Sequence, residues 1–146
     1  MNILYLDDDR FCRLWAKRVF SGFECDLYLA DSPWAAINLL NSYRIDRIVT
    51  DYMFSSTTGL EFARTLKTNS TKFANTPIFL VTGSMSEHII TESALIGVIN
   101  CAEKPMSELF VQEIVSLNAS TSTDPAENGN SNSGRANDFH FSNVEI

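Results

Sequence analysis

Three acidic residues stand in a row, Asp7, Asp8 and Asp9, directly after the apolar run Ile3-Leu4-Tyr5-Leu6. Such anions repel: two unit charges about 4 Å apart cost roughly 4 kcal/mol at an effective dielectric near 20. Another carboxylate, Asp51, closes a second run, Ile45-Asp46-Arg47-Ile48-Val49-Thr50. Thr82 closes a third, Ile78-Phe79-Leu80-Val81, and Lys104-Pro105 lies just beyond a fourth, Val98-Ile99-Asn100-Cys101-Ala102. Carboxylate oxygens from Asp8 and Asp51, with a backbone carbonyl just past Asp51, are hard ligands of the kind Mg²⁺ takes, water filling the other positions. A divalent cation there would offset the repulsion and neutralise an incoming phosphoryl group, leaving one carboxylate to attack phosphorus. Thr82 can donate a hydrogen bond to a phosphoryl oxygen and Lys104 can pair with another. Phosphoryl transfer is mostly positioning and charge stabilisation, and these parts suffice for it.

The groups converge only if the runs are neighbouring strands. Five short apolar runs, at 3–6, 27–30, 45–50, 78–82 and 98–102, alternate with segments of helical spacing. Phe11, Leu14, Trp15, Arg18 and Val19 are expected to form the buried face of the first helix, which Gly22 stops. Ser32-Pro33 opens a second with Trp34, Ile37 and Leu40 as its stripe, and Leu60, Ala63 and Leu66 give a third after Gly59. Ser84 and Glu87 have capping-box spacing before a fourth, with Ile89, Ile90 and Leu95 and a stop at Gly97. Ser107 caps a fifth, with Leu109, Phe110, Ile114 and Leu117. Asp9 and Asp31 read as helix caps. Strands alternating with helices predict an α/β fold: a doubly wound, five-stranded parallel sheet covered on both faces. In such sheets functional groups gather beyond the carboxyl ends of the strands, where Asp7, Asp8, Asp51, Thr82 and Lys104 all fall.

Composition narrows the function. The net charge of −7 over 146 residues argues against a nucleic-acid surface, which needs basic residues against phosphate. No apolar stretch reaches the length of a membrane span and residues 1–20 lack a signal-peptide pattern, so a cytoplasmic protein is expected. Cys12, Cys25 and Cys101 lack the spacing of a zinc site or a disulfide scaffold and are expected to be buried free thiols. His88 and His140 have no nucleophile placed beside them and are expected to be exposed. After Leu117 the composition changes: 118–138 is dominated by Asn, Ser, Thr, Gly and Ala with no large apolar residue, which predicts a flexible tail over 118–146. The tail ends in the more hydrophobic Phe139–Ile146, read as a docking peptide or a frayed end.

LYLDDDR at 4–10, RIVTD at 47–51, Gly59, LVTG at 80–83 and EKP at 103–105 together resemble the receiver domain of two-component response regulators, over residues 1–117. The resemblance implies a flavodoxin-like sheet of strand order 2-1-3-4-5. It makes Asp51 the phosphoacceptor in a Mg²⁺-dependent transfer from a sensor histidine kinase or a histidine phosphotransfer protein. Asp8 would be a direct metal ligand, Asp7 a ligand mainly through water, and Met53 would lend its backbone carbonyl. Thr82 and Lys104 would hold the phosphoryl group, and Pro105 would follow in cis. Output would run through protein contact or a relay, on the face at Glu87–Leu117, with dimerisation open. Such a chain promotes only its own phosphorylation and dephosphorylation and is not otherwise an enzyme.

Two departures stand out. Phe54 and Ser55 replace the usual Met-Pro after the phosphoacceptor, and Cys101 occupies the position of the aromatic switch. They leave room for a receiver-like interaction module that is not phosphorylated. Asp7-x-Asp9 also matches the start of haloacid-dehalogenase-type phosphatases, with Asp7 as nucleophile and Asp9 as acid/base. That reading leaves Asp51 idle and finds no paired acidic metal ligands after the lysine.

Overall fold

The computed structural model describes residues 1–118 and, for the backbone, 144–145. Five strands, β1 (Asn2–Leu6), β2 (Asp26–Ala30), β3 (Arg47–Asp51), β4 (Ile78–Thr82) and β5 (Cys101–Glu103), alternate with five helices. These are α1 (Arg10–Phe20), α2 (Pro33–Ser42), α3 (Gly59–Asn69), α4 (Glu87–Ile96) and α5 (Glu108–Ser116). All pair in parallel, and the five strands lie in the expected order 2-1-3-4-5. A short sixth strand, β6 (Val144–Glu145), adds to the free edge of β2 opposite Tyr28 and Leu29. The expected tail and the rest of the docking peptide, including His140, lie outside the described residues.

The two-residue period of the strands divides the core. Leu4, Leu6, Ile48, Ile78 and Leu80 face α2, α3 and α4, while Ile3, Tyr5, Val49, Phe79 and Val81 face α1 and α5. Each fully buried large apolar side chain contributes about 1.5–3 kcal/mol, so a one-residue slip of any strand would be costly. The register that results sets Leu6 against Thr50 and Asp51 against Val81, so the first residues beyond β1 meet the end of β3.

Several helix faces and caps differ from the sequence expectation. On α1 the buried residues are Ala16, Val19 and Phe20, while Phe11, Leu14 and Trp15 are exposed. The indole of Trp15 is tied down instead by donating to the Met106 carbonyl at 2.9 Å. On α2 the small Ala35 and Ala36, with Leu39 and Leu40, pack on the sheet and Trp34 faces outward. Small residues let this helix approach the sheet closely, so the aromatic is not needed inside. Leu109 on α5 is likewise exposed, and Val111 takes its place in the core.

Ser32, not Asp31, caps α2, and Ser86, not Ser84, caps α4 by accepting from the Ile89 amide at 3.2 Å. Ser84 stands two residues before that cap, and its backbone amide and carbonyl both bond the Thr82 hydroxyl. The reciprocal capping box belongs to α3, between Thr58 and Glu61. β5 is the short Cys101–Glu103: after the left-handed Gly97, Val98 donates back to the Ser93 carbonyl and finishes α4, and the first backbone bond to β4 runs from Ile99 to the Ile78 carbonyl. β3 starts at Arg47, since the Asp46 side chain accepts from the Asn2 amide at 2.8 Å and caps the start of β1.

Candidate functional site

The strand ends bring Asp7, Asp8, Asp51 and Lys104 together. One carboxylate oxygen from each of the three acids lies within 4.8 Å of the other two. Asp7 is fully buried, Asp51 nearly so, and Asp8 is exposed at the mouth. The Lys104 ammonium bridges the two buried acids, at 2.7 Å from Asp7 Oδ2 and 2.9 Å from Asp51 Oδ1. Charge-assisted bonds of this length are the strong kind.

Asp7 is held on every side. Its Oδ2 also accepts from the Tyr5 hydroxyl at 3.0 Å, its Oδ1 accepts from the Asp9 amide at 2.9 Å, and its carbonyl accepts from Arg13 at 2.9 Å. Asp51 Oδ1 accepts from the Tyr52 amide at 2.8 Å as well as from Lys104, which leaves Oδ2 as the oxygen not committed among the described residues. Burial lifts the Asp51 carboxyl above the usual range, against the opposing bond from Lys104. Burial alone would lower the Lys104 pKa, but its bonds to Asp7 and Asp51 outweigh this and hold the ammonium charged.

Gly59 fits against the backbone of Asp51. It begins α3 with its Cα against the Asp51 carbonyl, and its amide donates to Tyr52 O at 2.7 Å. Between them Met53 forms a single antiparallel bridge with Thr58, whose bonds run from Gly59 N to Tyr52 O and from Phe54 N to Thr57 O. In such a pair the residue between the bonds turns its own carbonyl away from the partner. Met53's carbonyl is therefore available as an oxygen ligand. Phe54 anchors this loop by burying its ring in the core, the part a proline would otherwise play by stiffness.

The remaining expected residues are placed less directly. Thr82 ends β4 nearly buried, but its hydroxyl is engaged with Ser84. The Lys104-Pro105 peptide is cis, as expected. Cys101 is half-buried on β5 beside the buried Ser93. Asp9 spends its carboxylate on the amides of Phe11 and Cys12, as the N-cap of α1. Both bonds go to Oδ1, and Asp9 is not one of the acids that cluster with Asp51. His88 is exposed and lies 3.8 Å from Glu92 on its own helix.

Sequence reasoning missed Tyr5 and Cys12. Tyr5 reads from the sequence as part of an apolar strand, though the two-residue period puts it on the same side of the chain as Asp7, just beyond β1. Cys12 lies beside Lys104 near the acids, where burial, then the Asp7 charge, raises its thiol pKa. Nothing in the spacing of a lone cysteine signals that.

The response regulator receiver domain matches the chain over residues 3–116. The chain belongs to that family. Chemotaxis protein CheY of Pseudomonas aeruginosa is 28% identical over 115 residues, covering 77% of this chain and 91% of that protein. The cyclic di-GMP phosphodiesterase response regulator RpfG of Xanthomonas campestris is 30% identical over 108 residues, or 73% of this chain. The receiver spans only 42% and 28% of the first two curated relatives it matches. A solved response regulator receiver protein from Pseudomonas putida superposes with a TM-score of 0.70 at 24% identity, over 78% of this chain and 93% of that one. That likeness supports the same fold. Among the described residues no helix of this receiver is long and apolar enough to cross a membrane.

Proposed function

We propose that Asp51 accepts a phosphoryl group from a phosphohistidine donor in a Mg²⁺-dependent reaction, and that the phosphorylated chain signals by protein contact or passes the group on. The observation that carries this reading is the Lys104 ammonium set between Asp7 and Asp51 at the crevice where three acids converge. In the transfer, an Asp51 oxygen attacks phosphorus, the new O–P bond replaces the N–P bond, and the electron pair stays on the donor imidazole, which takes up a proton. Burial makes the Asp51 carboxylate more basic than usual and so a better nucleophile. Lys104 pairs with one phosphoryl oxygen, and Thr82 turns its hydroxyl from Ser84 to another.

The donor set suits a hard cation, with carboxylate oxygens of Asp8 and Asp51 and the uncommitted carbonyl of Met53. Asp7, whose oxygens already have protein donors, fits contact through water. Bound there, Mg²⁺ would supply charge neutralisation for the phosphoryl group. The phosphorylatable unit is residues 1–117, with 118–146 as a tail. Output uses the face at Glu87–Leu117, where Ile90, Leu95 and Leu109 are exposed. With Cys101 at the switch position, output does not rest on rotation of an aromatic there. NMR spectra with Mg²⁺ and beryllofluoride test the site: amides around Asp51, Thr82 and Lys104 should shift on saturation. Unchanged spectra at saturating ligand would sink the proposal.

A further inference from the structure

Tyr5 is a buried polar group that the reaction as described does not use. It is 2% exposed, packed with Val49, Phe79 and Phe110 between the sheet and α1 and α5. Its hydroxyl donates to Asp7 Oδ2 at 3.0 Å, the same oxygen that Lys104 reaches at 2.7 Å. A phenol carries its proton at neutral pH and so stands as a donor.

The arrangement matters when Lys104 changes partners. An ammonium has three N–H groups, and Lys104 directs its own at both Asp7 and Asp51. A phosphoryl group on Asp51 draws the ammonium toward its own oxygens. Asp7 has no exposed surface, so bulk water does not reach Oδ2 to replace a lost donor. A buried carboxylate oxygen left unpaired is costly. We propose that Tyr5 is a positioning residue: a standing donor that keeps Asp7 satisfied and so frees Lys104 to turn to the phosphoryl group. The inference rests on the proposed phosphoryl site and names a residue that regulates it.

The test compares Tyr5→Phe with the wild-type protein, each titrated with beryllofluoride at saturating Mg²⁺. The ring stays in the core, a nearly volume-conserving change. Without the phenol, Asp7 Oδ2 has Lys104 as its one protein donor, and beryllofluoride affinity should fall about tenfold, the scale of one hydrogen bond to a charged group. Tyr28→Phe, on β2 in the other half of the core, should bind as the wild type does. Affinity of Tyr5→Phe within twofold of wild type, or an equal loss in Tyr28→Phe, overturns the inference. Should Tyr5→Phe not fold, the Tyr5 hydroxyl proton is followed by NMR in the wild-type protein. Its slowly exchanging signal should persist in the beryllofluoride complex, and its loss on binding would overturn the inference. Failure of the wild-type protein to bind beryllofluoride would instead overturn the phosphoryl site itself, and is read before any variant.

Discussion

Gly59 sets its bare Cα against the carbonyl of Asp51, so the first residue of α3 and the last of β3 are in backbone contact. A Cβ there would overlap the Asp51 carbonyl oxygen and stand 3.0 Å from both its carbon and the Thr50 hydroxyl. Backbone cannot rotate away as a flexible side chain can. Gly59→Ala should therefore destabilise the protein by about 4 kcal/mol or more, in the exceptional range for one substitution. Chemical denaturation measures it; a loss near that of an ordinary surface change would show that α3 can shift without disturbing Asp51.

Lys104 pairs its single charge with two carboxylates that are almost out of reach of bulk water. Lys104→Met keeps the stem and removes the charge, which should cost about 3 kcal/mol in the absence of divalent cations, as for breaking a buried pair. Saturating Mg²⁺ should recover part of that loss, because a cation at the acids would take over some of the neutralisation. A loss of equal size with and without Mg²⁺, measured by urea unfolding, would argue against a cation site at these acids.

The helix caps offer a sharper test of local structure. Ser86→Ala removes the acceptor for the Ile89 amide and should cost about 1 kcal/mol. Ser84→Ala leaves the backbone groups that bond Thr82 in place and should cost much less. Thermal unfolding of the two variants side by side decides it; the reverse order would place the cap at Ser84.

Glu61 should give the capping box of α3 a pH dependence. Its bonds from the Thr57 hydroxyl and the Thr58 amide hold its carboxyl below the ordinary value of 4.5. A carboxyl lowered in the folded state adds stability that is fully present above its unfolded value and lost as pH falls through the folded one. The wild-type protein should thus exceed Glu61→Gln in stability at neutral pH, and the gap should close as pH falls below about 4.5. A gap that stays constant across that range would mean the ionised carboxylate contributes nothing.

Much of the site could be read from the sequence because parallel strands carry their chemistry at one end. Asp7, Asp8, Asp51 and Lys104 each follow an apolar run, and the sheet order brings those runs together. Helix faces were harder. Phe11 and Trp34 have the spacing of core residues, yet Ala16, Ala35 and Ala36 take the contact surface because small side chains let helix and sheet approach. Ser84 and Ser86 both have side chains suited to cap α4, and only the start of the helix at Glu87, with the Ile89 amide on Ser86, tells them apart. Tyr5 was hidden by its own hydrophobicity: a tyrosine in an apolar strand reads as packing until the carboxylate two residues on is seen to turn toward it.

The most direct measurement is intact-mass analysis after incubation with Mg²⁺ and a small acyl phosphate donor, on the wild-type protein and Asp51→Asn. The account predicts one acid-stable, base-labile phosphoryl group on the wild type and none on Asp51→Asn. A phosphoryl group that persists in Asp51→Asn would contradict Asp51 as the acceptor, and a wild-type protein that takes up none would contradict the proposed reaction.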